Sequence, residues 1–142
     1  MEPSISVAYT DLLDAFEWVS AKADLENAAF ICRRTGATYF TSSAMDLGEE
    51  IPSDIDDGNL YIAVPPKTDL TLGRELAIGF AAEHLPDSYD EVIGYFRQRG
   101  AYGRFKELLE RKDSLVAWYE YEAQAIERAL RDWCRENEIE PK

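Results

Sequence analysis

Ala29-Phe30-Ile31-Cys32-Arg33-Arg34-Thr35-Gly36-Ala37-Thr38-Tyr39-Phe40-Thr41-Ser42 is the stretch whose reading decides the fold. Two runs rich in β-branched and aromatic residues, Ala29–Arg34 and Ala37–Ser42, flank Thr35–Gly36. Such side chains fit a pleated, half-buried surface, and a glycine at the join can take the positive φ that a tight hairpin demands. The spacing predicts a β-hairpin. A third strand is predicted at Leu60–Pro65, where Leu60, Ile62 and Val64 alternate onto one face. Pro65–Pro66 closes it, because neither residue can donate to a ladder.

Outward from the strands the pattern turns helical. Towards the N-terminus, Thr10 is placed to cap a helix over Asp11–Ala21 whose apolar side carries Leu12, Leu13, Phe16 and Val19. Between the second and third strands, Ser43–Asn59 is acidic and turn-prone, and is expected as an exposed loop. From Asp69 onward, Leu72, Leu76 and Phe80 fall on one stripe, ended at Leu85–Pro86. Ser88-Tyr89-Asp90-Glu91 has the form of a capping box for a short helix with Val92, Ile93 and Phe96 that stops at Gly100. Phe105, Leu108 and Leu109 mark another as far as Lys112, and Asp113 or Ser114 caps the longest, from Leu115 to about Asn137. The expected class is α+β: an N-terminal helix, a three-stranded antiparallel meander and a C-terminal cluster of about four helices, in a single domain spanning 1–142.

The 46% of hydrophobic residues supply a core for 142 residues, so a folded chain is expected rather than a disordered one. No window reaches the ~18 consecutive apolar residues of a membrane span, and the first residues lack the charge and apolar run of a signal peptide. A cytoplasmic protein with no membrane association is expected. Cys32 and Cys134, the only cysteines, are read as separate buried thiols rather than a disulfide.

The net charge of −13 is uneven. Residues 1–96 carry five Lys/Arg against eighteen Asp/Glu, residues 97–112 carry six against two, and residues 113–142 carry four against eight. A dominant negative field repels nucleic acid at long range, leaving one local cationic spot. There Arg97, Arg99, Arg104 and Lys106 interleave with Tyr102 and Phe105, and Gly100 and Gly103 loosen the backbone. Cations beside aromatic faces hold phosphates, carboxylates or bases. The following helix adds Trp118 and Tyr119 near its start, and Glu122 falls inside an apolar stripe of Leu115, Trp118, Ala125, Ile126, Ala129, Leu130 and Trp133. A carboxylate there needs a partner, and Arg99 or Arg104 is the expected one. Trp118, Tyr119 and Tyr121 cannot all face inward at helical spacing.

Other chemistry is not signalled. His84 is the sole histidine and its neighbours form no ligand spacing. Counted from Asp54 as a calcium loop, Gly58 is fifth and Pro65 twelfth, which is the wrong register. Gly100 is followed by Ala-Tyr rather than the Lys-Ser/Thr of a phosphate loop, and no nucleophile elbow or C-x-x-C pair occurs. No catalytic residue, metal or cofactor is assigned, and the expectation leans away from an enzyme.

The whole chain resembles the bacterial Uncharacterised Protein Family 0158. The resemblance rests on Asp14-Ala15-Phe16-Glu17, Arg33-Arg34-Thr35-Gly36, Asp54-Ile55-Asp56-Asp57 and Tyr61-Ile62-Ala63-Val64-Pro65. It continues through Arg99-Gly100-Ala101-Tyr102-Gly103-Arg104-Phe105-Lys106, Trp118, Glu122 and Leu130-Arg131-Asp132-Trp133-Cys134. It implies a bacterial, soluble single domain and carries over no activity. The expected function is thus a non-enzymatic interaction or regulatory module using Arg97, Arg99, Tyr102, Arg104, Lys106, Trp118, Tyr119 and Glu122. The expected partner is a protein, including a second copy in a homodimer. The alternatives are a phosphate-bearing ligand, nucleotide or single-stranded nucleic acid, on Arg97–Lys106, and an acidic mimic of nucleic acid.

Overall fold

The structure, a computed structural model, describes residues 5–21, 26–42 and 50–142. It mixes five α-helices with a three-stranded antiparallel sheet, an α+β arrangement. The chain divides into two compact units, residues up to 70 with 129–142, and residues 71–128.

The first unit contains β1 (Ile5–Val7), α1 (Tyr9–Val19), β2 (Ala28–Cys32), β3 (Thr38–Thr41), β4 (Tyr61–Ala63) and β5 (Ile139–Pro141), with the end of α5 (Leu115–Glu136). The hairpin forms in the register Ala28↔Thr41 to Ile31↔Thr38. In its turn Gly36 adopts φ 78°, and a Cβ there would stand 2.4 Å from the Ser6 carbonyl oxygen. Conformation and close approach both require glycine.

The order β3-β2-β4 corrects the expected meander, since β4 pairs with β2 and not with β3. Burial explains it: Ala29, Ile31 and Cys32 of β2 are buried, whereas every residue of β3 is half-buried. A strand buried on both faces belongs in the centre, and a half-exposed one at an edge.

A second correction is the parallel pair β1–β5, which the sequence pattern did not signal. Lys142 N–H donates to Val7 O at 2.8 Å and Tyr9 N–H to Lys142 O at 2.9 Å. The second bond leads directly into α1, which begins at Tyr9 without a side-chain cap rather than after Thr10. Trp18 Nε1 fastens α1 to the hairpin, donating to Ala28 O at 3.1 Å and Thr41 O at 3.0 Å. Of the acidic loop, residues 43–49 lie outside the described residues; further on, Asp57 N–H donates to Asp54 O and Asn59 N–H to Asp57 Oδ1.

The second unit holds α2 (Arg74–His84), α3 (Tyr89–Tyr95), α4 (Ala101–Arg111) and the first part of α5. Leu76, Phe80, Val92, Phe105, Leu108, Leu109 and Trp118 form its core, as the helical stripes predict. The capping box does not close: Ser88 is buried and makes no side-chain cap. Its glutamate has a competing partner one turn on, because Tyr95 Oη donates to Glu91 Oε1 at 2.5 Å. Arg111 Nη2 lies 3.6 Å from the same oxygen, tying α4 to α3. No described helix is long and apolar enough to cross a membrane.

Candidate functional site

The basic segment builds around the left-handed Gly100, φ 74°, which stands at the N-cap of α4 and lets the chain turn sharply into that helix. The apolar stripe Phe105, Leu108 and Leu109 faces the core, so residues on its two flanks diverge. Tyr102 and Lys106, four apart, share one flank. Arg104 occupies the other, where its Nη1 donates to Gln98 Oε1. Arg97 and Arg99 are exposed just before the helix.

On α5 the buried side carries Trp118, and the exposed side carries Val116, Tyr119 and Ala123. Tyr119 is 46% exposed and Tyr121 half-buried, so the crowded aromatics do diverge. Glu122, half-buried, neighbours Tyr119 at a spacing of three. It also stands beside Tyr102, whose phenol is raised above its ordinary pKa by burial of the ring first and then by the charges of Glu122 and Glu75. Of the two arginines expected to partner Glu122, Arg99 or Arg104, the Arg104 guanidinium donates to Gln98, and the Glu122 charge acts on Tyr102.

Tyr102 lies within the field of Glu122, Tyr119 stands one turn before Glu122 on α5, Lys106 shares the flank of Tyr102, and Val116 is one turn from Tyr119. The structure sets Arg104 apart and buries Trp118 in the core. Val116 was not among the expected site residues. Its signal was an apolar residue one position outside the buried stripe.

Behind this face runs a chain of ring contacts. Tyr102 meets Phe96 with centroids 5.1 Å apart, Phe96 meets Phe105 at 6.0 Å, and Phe105 meets Trp118 at 5.0 Å. Trp118 meets Phe80 at 5.4 Å, and Phe80 meets both Tyr121 at 5.2 Å and His84 at 4.6 Å. All but the stacked Phe80–His84 pair are edge-to-face contacts, which fix ring orientation, and the exposed Tyr102 is the outer member of the chain.

Neither cysteine offers exposed nucleophile chemistry. Cys134 is fully buried, and burial pushes its thiol up to about 11. A side-chain hydrogen bond with Thr35 holds the buried Cys32 thiol below its ordinary value. Among the described residues no three His, Cys, Asp or Glu side chains gather as a metal site. A scan of protein-family models and searches of curated proteins and of solved structures each find no match.

Proposed function

We propose that the chain is a non-enzymatic interaction module that binds an acidic surface of another protein through the starts of α4 and α5. One observation carries this reading. Tyr102, Val116 and Tyr119, exposed by 40%, 71% and 46%, are the exposed large hydrophobics among the described residues, and all three lie there. Tyr102 stands among Arg97, Arg99 and Lys106 in residues 97–112, where six Lys/Arg face two Asp/Glu, and Val116 and Tyr119 follow in the next helix. Tyrosine and arginine anchors dominate binding energy at protein interfaces, and complementary charge selects the partner. The likeness to the bacterial Uncharacterised Protein Family 0158 belongs to this reading and adds no activity to it.

A second reading, a phosphate-bearing ligand, is favoured by the first turn of α4, which contains no acidic residue and follows Arg97 and Arg99. One experiment separates the two. Affinity capture from the native host is compared for the wild type, Arg99→Ala with Lys106→Ala, and Tyr119→Ala. Capture of an acidic protein, lost in both variants and rebuilt from purified components at low salt, is the expected result. Capture of RNA or nucleotide, lost in the arginine–lysine variant alone, overturns the first reading in favour of the second.

A further inference from the structure

A cleft of about 510 Å³ opens between α2 and α5 inside the second unit, on the opposite flank of α5 from Tyr119. Its volume is within the range of small-molecule sites. Leu76 and Ala125 supply apolar surface, and His84 and Tyr121 supply aromatic walls. The walls are held from behind: His84 stacks on Phe80, and Tyr121 meets the same ring edge-on. Gly79 leaves room for the phenol, since a Cβ there would stand 3.4 Å from Tyr121 Oη.

The polar rim is made of Glu83, Gln124 and Arg128. Among the described residues, Arg128 makes no ion pair, and neither the Gln124 amide nor Tyr121 Oη makes a hydrogen bond. Glu83 has only the imidazole of His84, at 4.0 Å. A cation and a carboxylate that do not pair with each other, set beside flat apolar walls, match a ligand carrying both charges. A simple anion would meet repulsion from Glu83, and a simple cation repulsion from Arg128.

We propose that this cleft binds a free amino acid with a flat side chain. Arg128 and Gln124 take the carboxylate, Glu83 takes the ammonium, and the side chain lies on His84, Tyr121 and Leu76. Guanidinium–carboxylate recognition supplies direction, and the rings supply contact area.

Calorimetry with phenylalanine, 3-phenylpropionate and 2-phenylethylamine tests it, since the last two each lack one charge. Phenylalanine is expected to bind saturably, and each analogue at least about tenfold more weakly. Arg128→Ala and Glu83→Gln, both at exposed positions, should each weaken phenylalanine binding by a similar factor, while Arg99→Ala leaves it unchanged. Unchanged affinity in either cleft variant, equal binding of either analogue, or no saturable binding up to about 10 mM overturns the proposal. The Arg99→Ala control keeps this result separate from the interaction face on α4.

Discussion

Each unit has a cleft, of about 520 Å³ in the first and about 510 Å³ in the second, yet the two are built differently. The first is lined by β5 and the end of α5, including Arg131, Arg135, Glu138 and Glu140. Its cations are already engaged: Arg135 Nη1 lies 3.1 Å from Asp132 Oδ1, and the Arg131 guanidinium sits 5.1 Å from the centre of the Tyr9 ring. In the second cleft the Arg128 guanidinium, the Gln124 amide and Tyr121 Oη have no such partners among the described residues. The two clefts thus differ in whether their polar groups are engaged within the protein, and not in volume. The frameworks differ too. The first unit is organised by strand pairing and a backbone approach only glycine permits, the second by a chain of aromatic contacts.

Removing the ring at the centre of that chain should break the contrast most forcefully. Phe80 is fully buried and touches Trp118, Tyr121 and His84. Phe80→Ala should cost about 3–5 kcal/mol in urea unfolding, the usual range for an aromatic truncated in a core. Binding in the cleft should disappear with it, because both ring walls lose their support. A loss below about 1 kcal/mol would show that the second unit does not depend on the aromatic chain.

The sequence made that chain legible in part. Leu76, Phe80, Phe105, Leu108 and Trp118 recur at helical spacing, which places them on buried stripes before any contact is known. The hairpin was equally legible, because Gly36 interrupts two β-rich runs. The pairing of β1 with β5 was not, since three-residue strands carry little periodicity and their partners lie at opposite ends of the chain. Nor was the choice of β2 over β3 as the neighbour of β4, which depends on burial of both faces. The grouping of Arg97, Arg99, Tyr102 and Lys106 could be read from charge and aromatic content, but not whether the arginines point outward, since Glu122 was an alternative partner for Arg99. The cleft was missed because His84 meets α5 only after folding, although Tyr121, Gln124, Ala125 and Arg128 already share one helical face in the sequence.

Two glycines sharpen the contrast at a smaller scale. Gly36 in the first unit and Gly100 in the second have nearly the same φ, 78° and 74°. Their surroundings differ: a Cβ on Gly36 meets the Ser6 carbonyl at 2.4 Å, while one on Gly100 meets nothing within 4 Å. Gly100→Ala should therefore cost only the left-handed strain, about 1–2 kcal/mol. Gly36→Ala adds the displacement of β1 and should cost about 2–4 kcal/mol. Thermal or urea unfolding of the two variants side by side measures the difference. Equal losses would mean that the approach to Ser6 relaxes without cost and that the first unit is less tightly constrained than its geometry implies.

The smallest effect concerns the polar tie between α3 and α4. Glu91 and Arg111 are about half exposed or more, so water screens their pairing, and Glu91→Gln or Tyr95→Phe should each cost less than about 1 kcal/mol. Its pH dependence is more diagnostic than its size. The hydrogen bond from Tyr95 holds the Glu91 carboxyl below its ordinary value, with the Arg111 charge adding to the effect. A carboxylate with a lowered folded pKa contributes stability above its unfolded value, and that contribution fades as the pH falls through the lowered one. The same bond raises the Tyr95 phenol. A raised group contributes below its unfolded value, near pH 10 for tyrosine, and loses that contribution as the pH rises through the folded one. A double-mutant cycle on Glu91 and Tyr95 should give its largest coupling near neutrality and a smaller one at both extremes. Coupling that persists undiminished once the carboxylate is protonated would mean that the pair is held by a neutral hydrogen bond or by packing, and that the Glu91 charge contributes nothing to the tie between α3 and α4.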